Sequence, residues 1–284
     1  MRFRTEIEPI KSIVSISHAT PLLMLGSCFT DEIGGRLEAD GFDVLHNPFG
    51  ALYNPLSISN CLRRALSDEA YTTADLTVGP RGFHCLDYAM RFSGAEAQVV
   101  IDDIEACRRS VAGMLRHRPV VILTFGTSFV FERADSGSVV GNCHKFPPSF
   151  FNRRRLSVDE CTDAVLGIAA MLAPVASAVL LTVSPIRHTA DGLHGNNLSK
   201  ATLLLACDSA VASSSCVEYF PAYEALVDDL RDYRFYAADM KHPSEVAADY
   251  IYELFSDTFF DSGTKARALQ CRREFMASRH RPIL

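Results

Sequence analysis

Two features of this sequence have the residue types and spacing for acyl-transfer chemistry: a serine directly behind a short apolar run, and two carboxylates each placed three residues before a histidine. Ser27 follows Leu22-Leu23-Met24-Leu25-Gly26 and precedes a helical stretch from Thr30 to Ala39. A hydroxyl at that junction sits at a helix N-terminus, where unpaired N–H groups and the positive dipole end favour an oxyanion. The same position suits an N-cap, so these residues alone do not separate a nucleophile from a helix start. A serine hydroxyl is a weak nucleophile and needs a base, normally a histidine oriented by a carboxylate. Asp191-Gly-Leu-His194 and Asp239-Met-Lys-His242 each offer such a pair within one turn. The second pair follows the last apolar run and precedes a helix whose apolar face is Val246, Ala247, Tyr250, Ile251 and Leu254, capped by Ser244. Chain order therefore favours Ser27, Asp239 and His242 as the catalytic set. The earlier loop, with Arg187, His188 and His194, is left for substrate contacts.

These groups have to be positioned by a scaffold, and the hydrophobic pattern describes one. Five short apolar runs (Leu22 to Leu25, Phe42 to Leu45, Val120 to Thr124, Val179 to Val183, Val217 to Phe220) alternate with longer helical stretches. That alternation predicts an α/β protein: a three-layer αβα, doubly wound parallel sheet of about five strands. Ligands of such sheets bind beyond the carboxyl ends of the strands, where this chain carries Gly26-Ser27-Cys28, Asn47-Pro48-Phe49-Gly50, Gly126-Thr127-Ser128 and Pro185-Ile186-Arg187-His188. Two polar stretches, Tyr71 to Phe92 and Phe129 to Pro148, read as hairpin insertions at the cleft rim. Ala164 to Val183 is free of charge and long enough to imitate a membrane span, but Pro174 should end a helix near Leu172 and leave a buried strand behind it.

The 284 residues fit a single domain, with 256–284 as a helical extension or tail. A net charge of −6 argues against nucleic acid as a partner, despite basic clusters at Arg153-Arg154-Arg155 and at Arg267, Arg272, Arg273, Arg279 and Arg281, which read as solvated faces. Nine cysteines without a Cys-x-x-Cys pair indicate neither a disulfide framework nor a zinc ribbon. The charged N-terminus lacks a secretory apolar core, so a cytoplasmic protein is expected, with no membrane partner.

The run Leu25-Gly26-Ser27-Cys28-Phe29-Thr30 resembles the signature of the GSCFA family, grouped with the SGNH, or GDSL-like, hydrolases. The likeness continues through Asn47-Pro48-Phe49-Gly50, Asn142-Cys143-His144-Lys145, Ser184-Pro185-Ile186-Arg187-His188, Leu198-Ser199-Lys200, Tyr219-Phe220-Pro221 and Asp239-Met-Lys-His242, from Phe3 to Phe255. The resemblance implies a serine esterase or acyl hydrolase. Ser27 attacks an acyl carbonyl, His242 moves the proton, and Asp239 orients the imidazole. It also implies an oxyanion hole from the Gly50 and Ser27 N–H groups. Serine 128 stands where the superfamily carries asparagine, which leaves Ser128 itself, or Asn142 from the insertion, as the third donor. Thr30 replaces the alanine of the family signature.

Other readings compete. Cys28 at a helix N-terminus is an alternative nucleophile that His242 could deprotonate. His188, Asp191 and His194, with Cys143 and His144, carry metal-ligand side chains, although their spacing is not that of a metal motif. The same fold could also hold a carbohydrate or acyl ligand without turning it over. The expected partner is a small ester or acylated sugar, with Arg187, His188, His194 and Lys145 as substrate contacts and no cofactor.

Overall fold

A computed structural model describes residues 4–9, 11–67 and 69–279; Phe3 and Arg281 lie outside them. Five parallel strands form the central sheet: β1 (Leu22–Gly26), β2 (Val44–His46), β6 (Val120–Phe125), β10 (Ala178–Val183) and β11 (Val217–Tyr219), in the order β11-β10-β6-β1-β2. The order reverses between β1 and β6, and these two strands pair from Leu22–Val120 to Gly26–Thr124. That reversal opens a crevice at their carboxyl ends.

Every residue of β1, β6 and β10 is buried, and alternate residues serve opposite faces. Leu23 and Leu25 of β1, with Val121, Leu123 and Phe125 of β6, pack beneath helices α2 (Pro55–Leu66), α3 (Ala97–Arg116), α4 (Val158–Leu172) and α5 (Gly192–Ser213). Leu22 and Met24, with Val120 and Ile122, pack beneath α1 (Cys28–Ala39), the short α6 (Ala222–Glu224), α7 (Glu245–Phe259) and α8 (Ser262–Arg279). Two hydrophobic clusters, one per face, make the three layers that the apolar runs predict.

Local signals act where the sequence carries them. Asn54 caps α2 ahead of Pro55, Ser157 and Glu160 form a capping box on α4, and Ser244 caps α7. Helix α4 ends at Leu172, two residues before Pro174, and β10 begins at Ala178. Among the described residues no helix is long and apolar enough to cross a membrane. The two insertions are three-stranded antiparallel sheets: β3 (Thr77–Gly79), β4 (Gly82–His84) and β5 (Ser93–Gly94), then β7 (Phe129–Arg133), β8 (Val139–Val140) and β9 (Phe151–Arg155). The second runs past the expected Pro148, because β9 returns to pair with the whole of β7.

The C-terminal extension is a docked helix. Arg272 of α8 donates from Nε and Nη2 to the buried carboxylate of Asp40, both at 2.6 Å, and Tyr252 Oη donates to the same group at 2.7 Å. Removing the guanidinium strips a desolvated carboxylate of two charge-assisted bonds. Arg272→Ala should lower unfolding free energy by about 1–3 kcal/mol in urea denaturation, while Arg273→Ala on the exposed side of α8 should change it by less than about 0.5 kcal/mol.

Candidate active site

The exit from β1 decides which side chain faces the cleft. Gly26 has φ +151°, and a Cβ on it would lie 2.2 Å from the Thr124 carbonyl oxygen, so only glycine lets β1 turn this close to β6. Asn47, at the end of β2, braces the turn: its Oδ1 accepts the Gly26 N–H at 2.9 Å and its Nδ2 donates to the Ser27 carbonyl at 3.2 Å. Ser27 is the N-cap of α1. It is 0% exposed, and its Oγ turns back to accept the Phe29 N–H at 3.3 Å. Cys28 is the first helical residue, and its Sγ emerges into the cleft 3.6 Å from His242 Nε2.

The structure does not bring the Ser27 hydroxyl to His242, as the sequence reading expects, and sets the neighbouring Cys28 thiol there instead. A capping side chain must fold over the helix end it caps, so the following residue presents its side chain to the imidazole. The Ser27 N–H is likewise occupied, donating to the Thr124 carbonyl at 3.0 Å.

Asp239 and His242 are brought together as the sequence predicts. Asp239 Oδ1 accepts the N–H groups of Lys241 and His242 at 2.9 and 3.0 Å, and its Oδ2 accepts from His242 Nδ1 at 2.5 Å. Those donors, the His242 N–H first among them, hold the carboxyl well below the usual carboxylate range. With Nδ1 donating, Nε2 is the ring's acceptor and faces the Cys28 thiol. The loop is closed on itself by Ala237 N–H to His242 O (2.8 Å) and Ser244 N–H to Phe235 O (2.8 Å). It is fastened to the end of β10 by the Arg187 N–H, which donates to Lys241 O at 3.1 Å.

The cleft is a cavity of about 440 Å³ whose lining includes Cys28, Tyr53, Thr127, Asn142, Arg153, Arg187, His188 and His242. Several expected contacts lie elsewhere. The Gly50 N–H closes a turn onto Asn47 O at 2.8 Å, and the Ser128 hydroxyl and N–H both engage the buried Ser199 Oγ, at 3.2 and 2.8 Å; neither residue lines the cleft. Lys145 and His194 are exposed and outside it, since one sits on a loop tip and the other on the outer first turn of α5. Asp191 is held by both Arg153 Nη groups, so the earlier Asp-x-x-His pair is parted, with Asp191 paired away and His194 in solvent. Asn142 does line the cleft, its Oδ1 accepting the His144 N–H at 2.9 Å. Among the described residues no three His, Cys, Asp or Glu side chains gather as a metal site.

Three residues at this site were not singled out by their pattern. Tyr53 lines the cleft with Cys28, and burial above all pushes its phenol up to about 12, so its hydroxyl stays protonated. Arg153, exposed on β9 as the basic cluster suggests, also reaches the cleft and pairs there with Asp191. Lys200 is 1% exposed and donates to Gly126 O at 2.7 Å and Ser184 O at 2.6 Å, tying together the ends of β6 and β10. A lysine on the same helix face as Leu203 and Cys207 was the visible signal for it.

Burial dominates the electrostatics. It pushes the Cys28 thiol up, with Asp31 and Glu32 of the first helical turn acting in the same direction, so the group is held as the thiol. His188, set edge-on against Tyr53, is lowered to about 4 by burial and then by the Lys200 charge, and its Nε2 is buried without a hydrogen-bond partner. A neutral imidazole in the folded state and an ordinary one in the unfolded state mean that the unfolded chain binds the extra proton. This contribution is whole above the ordinary histidine value near ~6.5 and is lost as pH falls from there toward about 4. Melting temperatures measured from pH 7 to pH 4.5 should fall for the native protein, and the fall should flatten in His188→Gln.

The fold and site define an α/β protein with a thiol, an imidazole and a carboxylate aligned at the topological switch point of a parallel sheet. The chain belongs to the GSCFA family, whose model matches residues 21–255. No curated protein matches the sequence. Among solved structures, the psychrotrophic esterase EstA from Pseudoalteromonas sp. is 12% identical with a TM-score of 0.36, over 84% of this chain and 96% of that one. A carbohydrate esterase family 2 enzyme with a carbohydrate-binding domain, from Corynascus thermopiles (Myceliophthora fergusii), is 14% identical with a TM-score of 0.41, over 92% and 69%.

Proposed function

We propose that the protein is an esterase or acyl hydrolase that works through an acyl-cysteine at Cys28, on a small ester or acetylated carbohydrate. The observation that carries this reading is the approach of Cys28 Sγ to His242 Nε2, 3.6 Å, with Asp239 gripping the other ring nitrogen at 2.5 Å. Nucleophile, base and orienting carboxylate stand in the relation that covalent acyl transfer requires.

The thiol gives its proton to His242 Nε2 as sulfur bonds to the acyl carbon, and the carbonyl π pair moves onto oxygen. That oxyanion meets the Cys28 N–H at the start of α1, the Tyr53 hydroxyl and the Asn142 side chain. Collapse expels the alcohol, which takes the proton from His242. Water, deprotonated by the same ring, then cleaves the thioester and regenerates the thiol. A sugar hydroxyl in place of water would make the protein an acyltransferase. Nine free thiols support a reducing, cytoplasmic setting, and the two core clusters on one sheet support a single domain.

A second reading, a ligand-binding protein with little turnover, draws support from Ser128. Its hydroxyl is committed to Ser199, so the cleft has no donor at that position. Incubation with short p-nitrophenyl esters, followed by intact mass and peptide mapping, separates the two. On the enzyme reading an acyl adduct maps to Cys28. Cys28→Ala then abolishes turnover, Tyr53→Phe lowers kcat by roughly a hundredfold, and Ser27→Ala loses about 1 kcal/mol of stability yet keeps the adduct. Acylation that moves with Ser27, or none on the folded native protein, would exclude acyl-cysteine chemistry.

A further inference from the structure

Behind the loop 185–187 lies a second cavity, of about 280 Å³, that shares Ile186 and Arg187 with the catalytic cleft. Arg187, Arg231 and Lys200 contribute to its lining against a single carboxylate, Asp232. That carboxylate is occupied, accepting the Arg234 N–H at 2.9 Å as a helix cap. Asp229, nearby in sequence, is buried and held by Arg4 Nε at 2.7 Å and Tyr250 Oη at 2.6 Å. The central carbon of the Arg187 guanidinium lies over Tyr236, 4.0 Å from the ring centroid, and 5.1 Å from that of Tyr233. Among the described residues neither Arg187 nor Arg231 has a carboxylate partner, in a chain whose net charge is −6.

The backbone around this cavity is irregular in the manner of a binding site. A π-helical segment, 225–230, ends at Arg231, which holds a left-handed conformation at φ +44°. π-Helical turns and strained non-glycine residues concentrate where function requires them. Stacked arginines keep their N–H edges free for the oxygens of phosphate or carboxylate.

We infer that the substrate of this site carries an anionic group, a phosphate or a carboxylate, seated between Arg187 and Arg231 while its acyl carbon lies at Cys28. The inference rests on the acyl-transfer reading for the second half of that statement only. Arg187 lines both cavities, so an anion held at it stands beside the cleft that contains Cys28, and the fixed cations select anionic esters over neutral ones of equal size.

The test begins with binding, so that it does not depend on turnover. Phenyl phosphate and benzoate are titrated calorimetrically into the Cys28→Ala protein. Saturable binding of at least one is expected, weakened about tenfold in Arg231→Gln and partly restored in Arg231→Lys. The relative affinity of the two probes assigns the anion. Kinetics follow with 4-acetoxyphenyl phosphate, 4-acetoxybenzoate and phenyl acetate. The ratio of kcat/KM for the anionic ester to that for phenyl acetate should fall about tenfold in Arg231→Gln. No saturable binding, or an affinity and ratio indifferent to Arg231, would overturn the anionic subsite. Phenyl phosphate binding at Arg231 in a protein that hydrolyses none of the three esters would keep the subsite and remove the catalytic reading instead.

Discussion

The chemistry of this molecule depends on how close β1 comes to β6 at Gly26. Thr124 O occupies the space a side chain would need, so the chain can leave β1 only through a glycine turn. That turn sends Ser27 inward as a cap and Cys28 outward as the first helical residue, two neighbours with opposite fates. Asn47 supports it from β2 by bonding Gly26 and Ser27 together, and its Nδ2 also donates to Asp31 Oδ2 at 3.0 Å. One sheet edge and one helix start are therefore braced by a single amide.

The imidazole arrives from the opposite end of the sequence on a loop that is nearly self-sufficient. Main-chain pairs close it, the Asp239 carboxylate accepts from two of its N–H groups, and Ser244 hands the chain to α7. What the rest of the fold adds is orientation, through the bond from Arg187 N–H to Lys241 O. At the thiol, a helix dipole is worth ~0.3–1 kcal/mol, while burial opposes the thiolate and two acidic residues join it. Burial wins. Chemistry at Cys28 would then rely on proton transfer to His242 during attack, the manner of a serine enzyme, and not on a standing thiolate–imidazolium pair.

Charge is distributed in the same economical way around the mouth of the cleft. Arg153 is neutralised by Asp191, and Lys200 is enclosed and given to two carbonyl oxygens. Arg187 and Arg231 are left with aromatic neighbours or solvent, so an acidic protein presents a local positive potential beside the cleft that contains Cys28.

Much of this was legible from residues alone. Apolar runs marked β1, β6 and β10 because a strand buried on both faces has to be apolar throughout, and the half-buried edge strands β2 and β11 less sharply; Pro174 separated helix from strand; and Asp239-Met-Lys-His242 is a local motif whose geometry forms within four residues. What stayed hidden was every decision made between distant segments. Whether Ser27 or Cys28 faces His242 depends on the approach of two strands nearly a hundred residues apart. The fate of Ser128, in the loop after β6, was set by Ser199 on α5, that of Gly50 by the Asn47 carbonyl, and that of Asp191 by Arg153 on a returning hairpin. Sequence spacing determines short-range pairs because the chain has few ways to arrange neighbours; which of two adjacent side chains points into a cleft is decided only when sheet and helices close around them.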